Sequence, residues 1–229
     1  MAEELSPGVW LLNLGLFRPF DTNCFLVDDG TVTLIDTGLW YNRPSLGSEL
    51  AAAGYEPADV DRVLLTHYDL DHTTGLRHLP AAFDGPIYIG RADYDLYTGG
   101  YDPPLVHHKG IFHRLVRPLF PLPDGVDVRP VDDGERVGAF TAYHTPGHNP
   151  GHVAYVHDSG AAFVGDLVWE DGGRLTTPAW FDSYDMAGLR ESVVDFGSRA
   201  PEFDVLGMGH GRPITVDAYR AFRELTERL

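Results

Sequence analysis

The stretch THYDLDH, residues 66–72, places two histidines and two aspartates within six consecutive positions: His67, Asp69, Asp71 and His72. A strand-like stretch over 62–66, with the short apolar run Val63-Leu64-Leu65, leads into it. A helical pattern begins at Asp71, runs over 71–79 and stops at Pro80. Along an extended chain alternate side chains share a face, so His67 and Asp69 point the same way. Asp71 and His72, at the start of the helix, swing to a different side of the same loop. Two pairs of ligand-type side chains offset in this manner suit two metal ions side by side. Three further candidates end strand-like runs later in the chain: His148 in TPGHNPGH, Asp166 in FVGDLV and His210 in GMGHGRP. Glycines flank all three, and glycine permits the sharp turns and close backbone approach that let loop ends converge.

Around these candidates, strands are predicted at 9–14, 23–27, 31–35, 62–66, 87–89, 139–144, 152–156, 161–164 and 204–207, each rich in β-branched or aromatic residues and bounded by turn residues. Helices are predicted at 45–53, stopped by Gly54, and at 71–79, 91–97, 186–199 and 216–229. That order predicts an α/β fold with two sheets and helical layers. At 229 residues one domain over 1–229 is expected. The stretch 98–124, with five prolines plus His107, His108 and His113, reads as irregular and is the candidate substrate-facing cap.

Composition narrows the chemistry. Cys24 is the only cysteine, so no internal disulfide and no cysteine-rich zinc site can form; it reads as a small core residue on a strand. Any metal must be held by His, Asp or Glu. The net charge of −17 repels nucleic acid and anionic membranes, leaving a small-molecule substrate as the expected partner. Apolar runs fall far short of the roughly 20 residues that cross a bilayer. The first residues, MAEELSPGVWLL, lack a basic lead into an apolar segment, so a cytoplasmic location is expected. Lys109 is the only lysine, all other strong cations being arginine.

Taken together, THYDLDH, TPGH, VGD and GHG, with Asn23-Cys24-Phe25 and Leu34-Ile35-Asp36-Thr37-Gly38 upstream, resemble the metallo-β-lactamase superfamily of metal-dependent hydrolases. The resemblance extends from about Val9 to Arg212. It implies a four-layer αββα sandwich with a two-metal site at one edge between the sheets. His67, Asp69 and His148 are then the first ion's ligands, Asp71, His72 and His210 the second's, and Asp166 bridges them. Asp36 is expected to hydrogen-bond near the site. Two divalent ions are implied, zinc by family habit. The implied reaction is attack by a metal-bridging hydroxide on an ester, thioester or lactone carbonyl, as in glyoxalase II-like thioesterases and lactonases, with Asp71 both binding metal and orienting the hydroxide. Tyr68, Tyr94, Tyr97 or a cap histidine are the candidates for steadying the oxyanion or supplying a proton. His144 and His152 read as strand-end or supporting histidines, His78 and His157 as surface residues.

One residue departs from the family pattern, which is H-x-H-x-D-H. Here the second ligand position is Asp69. A carboxylate in place of an imidazole adds a negative charge and a hard oxygen donor, shifting preference from zinc towards iron or manganese. Flavodiiron proteins resemble this departure, and persulfide dioxygenases use a single iron at the positions of His67, His148 and Asp166. A non-haem iron oxidoreductase is therefore the alternative to a hydrolase, and a metal-bearing ligand sensor the third possibility.

Overall fold

Alternation along the strands sorts the apolar side chains into three layers, and with them the architecture. The computed structural model describes residues 1–15, 22–81, 83–104, 106–121 and 125–229. One sheet has seven strands in sequence order: β1 (Glu3–Ser6), β2 (Val9–Asn13), β3 (Asn23–Asp28), β4 (Val32–Ile35), β5 (Arg62–Leu65), β6 (Pro86–Gly90) and β7 (Asp127–Val131). Its first four strands pair antiparallel, and β4 to β7 run parallel. The second sheet contains β8 (Arg136–Val137), β9 (Phe140–His144), β10 (Val153–His157), β11 (Ala161–Phe163) and β14 (Val205–Gly207), in the order β14-β11-β10-β9-β8. The hairpin of β12 (Trp169–Asp171) and β13 (Arg174–Thr176) stands apart. The helices are α1 (Leu46–Ala53), α2 (Leu70–Thr73), α3 (Arg91–Thr98), α4 (His108–Val116), α5 (Met186–Arg199) and α6 (Ala218–Thr226).

Phe25, Val27, Ile35 and Leu64 meet Phe140, Tyr155 and Phe163 between the sheets. Their strand neighbours Cys24, Leu26, Leu34, Val63 and Leu65 face the other way, onto Leu46 and Leu50 of α1 and Leu96 of α3. On the second sheet Ala154, Val156 and Ala162 pack outward on Leu189, Val193 and Phe196 of α5 and Phe222 and Leu225 of α6. The period of two thus buries both faces of both sheets, giving helix, sheet, sheet, helix, the expected αββα sandwich.

The predicted helix at 186–199 has the bounds of α5, whose first turn is capped by the Asp185 carboxylate accepting from Ala187 N. Ser45 caps α1, and Gly54, at φ 90, ends it. Other expectations are corrected. The stretch 71–79 is only a short helix, α2, followed by a 3-10 turn over Thr74–His78. The stretch 98–124 is not irregular throughout, because it contains α4; its residues 105 and 122–124 lie outside the described residues. The buried face of α4 is Lys109, Gly110, His113 and Val116, so its polar members hid the helical period. Among the described residues no helix is long and apolar enough to cross a membrane.

Candidate metal centre

The centre lies where β5, β11, β14 and the turn between β9 and β10 end together. Leaving β5, the chain is gripped by Asp36, which accepts from Thr66 N at 2.8 Å and from Thr66 Oγ1 at 2.7 Å. Asp36 takes a left-handed backbone, φ 56, which aims its carboxylate back under the loop. The same carboxylate meets His72 Nδ1 at 2.9 Å, fixing the ring so that Nε2 faces the centre. His67 Nδ1 pairs with Thr66 Oγ1 at 3.0 Å, which aims its Nε2 similarly. On the other sheet, His152 Nε2 accepts from Asp166 N at 3.1 Å and its Nδ1 pairs with Thr145 Oγ1 at 2.8 Å. Asn23 Nδ2 donates to Met208 O (2.9 Å) and Gly211 O (2.7 Å), clamping the loop that carries His210. Gly209 permits the approach, since a Cβ there would collide with Asp166 Oδ1 and His72.

The seven sequence-predicted residues converge as two pockets. In the first, Asp69 Oδ2 lies 3.4 Å from His67 Nε2 and 3.1 Å from His148 Nε2. In the second, Asp71 Oδ2 lies 3.6 Å from His72 Nε2 and 3.3 Å from His210 Nε2. Asp166 stands between them: Oδ1 is 3.7 Å from His72 Nε2, while Oδ2 is 3.3 Å from His210 Nε2 and 3.6 Å from His148 Nε2. Within each trio the ligand atoms lie within 4.8 Å of one another. His67 Nε2, His72 Nε2 and Asp166 Oδ1 are buried with no hydrogen-bond partner. Buried polar atoms without partners are costly, and three converging on one place fit a cation. Imidazole nitrogens with carboxylate oxygens suit zinc, iron or manganese.

One occupant of the first pocket comes from the chain itself. Lys109 Nζ lies 2.8 Å from Asp69 Oδ2, 2.8 Å from His148 Nε2 and 2.8 Å from the backbone oxygen of Asp182. One helical turn further along α4, His113 Nε2 reaches Asp69 Oδ1 at 2.7 Å, and its Nδ1 meets Tyr184 OH at 2.7 Å. Asn149 Nδ2 adds a bond of 3.1 Å to the same Oδ1. Lys109 and Asn149 were not singled out as site residues by sequence reasoning. The available signals were an isolated lysine in an arginine chain, and HKGIFH, whose Lys109 and His113 sit at the i, i+4 spacing of one helical face.

These contacts set the charge states. Burial alone would push Asp69 up, but Lys109 and then His67 hold it well below the usual carboxylate range. Asp166 is likewise held well below it, by His210 and His72 against burial, and Asp71 falls to about 2 through His72 and His210. Against burial, Asp71 and Asp36 raise His72 to about 10, and Asp166 raises His210 well above the ordinary histidine value. His148 goes the other way, to about 4, through burial and then Lys109. Burial lifts Asp182 to about 6 in spite of Lys109. The two pockets thus hold histidines of opposite character.

Other candidates sort themselves by position. Tyr68 is buried in the core beneath α1, and Tyr94 and Tyr97, on α3, are half-buried against the same cluster. His107 caps α4, accepting from Gly110 N, and stacks on Tyr184 at 4.6 Å. His144 is exposed, with Nε2 3.0 Å from Pro150 O. His157 is not a surface residue: it is buried, with Nε2 3.3 Å from Asp29 Oδ2. His78 is half-buried and meets Trp40 O at 2.9 Å. Cys24 is wholly buried, and burial pushes its thiol up.

Against known proteins, the family model for the metallo-beta-lactamase superfamily matches residues 17–210. The chain is 26% identical over 224 residues to the probable metallo-hydrolase YflN of Bacillus subtilis (strain 168), covering 86% of this chain and 81% of that protein. It is 29% identical over 182 residues to a hydroxyacylglutathione hydrolase of Aeromonas salmonicida (strain A449), covering 75% of this chain and 51% of that protein. A solved structure, TTHA1623 in a di-iron-bound form, is 27% identical, with a TM-score of 0.65 over 90% of this chain and 96% of that one.

Proposed function

The chain belongs to the metallo-β-lactamase superfamily, and we propose that within it this protein is a metal-dependent hydrolase that cleaves an ester, thioester or lactone. The observation that carries the reading is the second pocket: His72 Nε2 and Asp166 Oδ1, buried and without hydrogen-bond partners, beside Asp71 and His210. Those four residues would hold a divalent ion. Bound there, it supplies Lewis acidity towards a carbonyl oxygen and makes a water acidic enough to become the nucleophile near neutral pH.

The chain's own residues do the rest. Asp71, whose Oδ2 accepts from Thr22 Oγ1 at 3.4 Å, would orient the attacking water as well as bind the ion. Asp36 keeps the His72 ring turned towards the centre. Substrate enters a cavity of about 610 Å³, within the size range of small-molecule sites. Among the described residues lining it are the carboxylates Asp69, Asp71, Asp166, Glu170, Asp171 and Asp182, and neither lysine nor arginine. With Asp69 taken up by Lys109 and Asp71 and Asp166 by the ion, Glu170, Asp171 and Asp182 keep the lining acidic, which favours an uncharged acyl donor over a carboxylate-rich thioester or a phosphodiester. Trp169 and Phe181 give the same cavity apolar surface for a hydrocarbon arm.

Zinc is the metal proposed on family grounds. The similarity to TTHA1623, whose structure is of a di-iron-bound form, together with the carboxylate at Asp69, makes iron the second candidate. The test is a panel of a neutral lactone, an aryl ester, a neutral thioester and an anionic thioester, assayed with zinc-, manganese- and iron-loaded protein. Chelator-sensitive turnover, with neutral substrates preferred, is expected. Absence of hydrolysis across the panel, with oxygen uptake by the iron form, would replace the hydrolase with an oxygenase.

A further inference from the structure

We infer that the ammonium of Lys109 takes the place of the first metal ion, so that this chain works with one divalent ion, held by Asp71, His72, His210 and Asp166. The inference rests on the metal-dependent reading above and fixes its stoichiometry. An ammonium has three N–H donors, and Lys109 Nζ has three acceptors at hydrogen-bond distance: Asp69 Oδ2, His148 Nε2 and the oxygen of Asp182. The imidazole Nε2 of His148 carries a single lone pair. With the proton on Nδ1, which lies 3.5 Å from Ser183 Oγ, Nε2 accepts from Lys109 and has no lone pair left to bind a metal.

Distance leads to the same result. An ion at about 2.1 Å from both His148 Nε2 and Asp69 Oδ2 would lie within roughly 4 Å of Nζ on whichever side of the pair it sat. A divalent ion and an ammonium at that separation repel strongly in a buried site. As it stands the Asp69 carboxylate faces the Lys109 ammonium directly, and His67 Nε2 is the ligand atom of this pocket that has no hydrogen-bond partner.

The lysine is also built in. Its side chain is 4% exposed. His113, on the next turn of α4, and Asn149 fix the other oxygen of Asp69, so the carboxylate faces Lys109 in one orientation. This answers why residue 69 is an aspartate: an imidazole there would give the ammonium no counter-charge. A compact ammonium can stand where an ion would, whereas a planar guanidinium fork is a poor substitute, and the only lysine of the chain is the residue placed there.

Metal counting by native mass spectrometry, after zinc loading and removal of excess, tests the inference without reference to activity. Wild type is expected to keep one ion per chain, and Lys109→Met, which frees His67, Asp69 and His148, two. Two ions in wild type would overturn the inference and leave the hydrolase reading standing. No ion in wild type would overturn both. Lys109→Met keeping only one would show that the lysine is not what excludes the other ion. Should that variant fail to fold, His148→Ala decides the matter. It is expected to keep the wild-type count of one, and loss of an ion from it would contradict the inference.

Discussion

The pocket of His67, Asp69 and His148 and the pocket of Asp71, His72 and His210 use the same two residue types and face the same aspartate, Asp166. They differ in what the rest of the chain sends into them. The first receives a cation from α4, and its His148 is pushed down to about 4. In the second, Asp71 and Asp36 lift His72 to about 10 against burial. A ligand motif therefore defines where cations collect, and a helix some forty residues away decides what kind of cation each pocket takes.

The sharpest way to break this contrast is paired substitution. His72→Ala is expected to abolish both metal retention and turnover, whereas His67→Ala, in the pocket filled by Lys109, keeps its ion; equal metal loss from both, read by elemental analysis, would erase the distinction. A smaller effect is expected from Asp36→Asn, which leaves the ligands intact but weakens the orientation of His72. Metal affinity should fall by about 10- to 100-fold in competition with a chromogenic chelator, and an unchanged affinity would mean that Asp36 serves only Thr66.

Acidity offers a third contrast. In the metal-free protein His72 and His210 are both raised, so near neutral pH each carries a proton that an incoming ion must displace. Apparent affinity should therefore rise with pH, by about tenfold per unit for each proton displaced, levelling off for His72 near its value of about 10. His148, at about 4, is already neutral and adds nothing to that slope. A flat profile between pH 6 and 8 would place the ion elsewhere. The smallest effect is expected from His113→Phe, which leaves Asp69 Oδ1 with Asn149 alone and deprives Tyr184 OH of its partner. Urea unfolding of the metal-free variant should show a loss of about 1–3 kcal/mol.

Much of this was legible in the sequence because it rests on strong local patterns. The alternation that sends Leu64 one way and Val63 and Leu65 the other marks a doubly buried strand, and Ser45 and Gly54 mark the ends of α1. THYDLDH, TPGH, VGD and GHG marked all seven residues that converge. What was hidden depends on partners far away in sequence. β8, β12 and β13 have two or three residues each, too few for any period to register, and Asp127–Val131 carries Arg129 and Pro130 in a half-exposed edge strand. The buried face of α4 is mostly polar because its packing partner is the carboxylate of Asp69, which no apolar pattern reveals. Asp93 looked like any first-turn acid of a helix, yet it is wholly buried, accepting from Tyr68 N at 2.8 Å and Gly151 N at 2.7 Å, and so ties the two loops of the first pocket together.

Anomalous diffraction from crystals of the zinc-loaded protein, collected on both sides of the metal edge, tests the contrast between the pockets most directly. A single peak is expected among Asp71, His72, His210 and Asp166, with the side chain of Lys109 ordered between Asp69 and His148. A second peak bound by His67, Asp69 and His148, with Lys109 turned away, would contradict it.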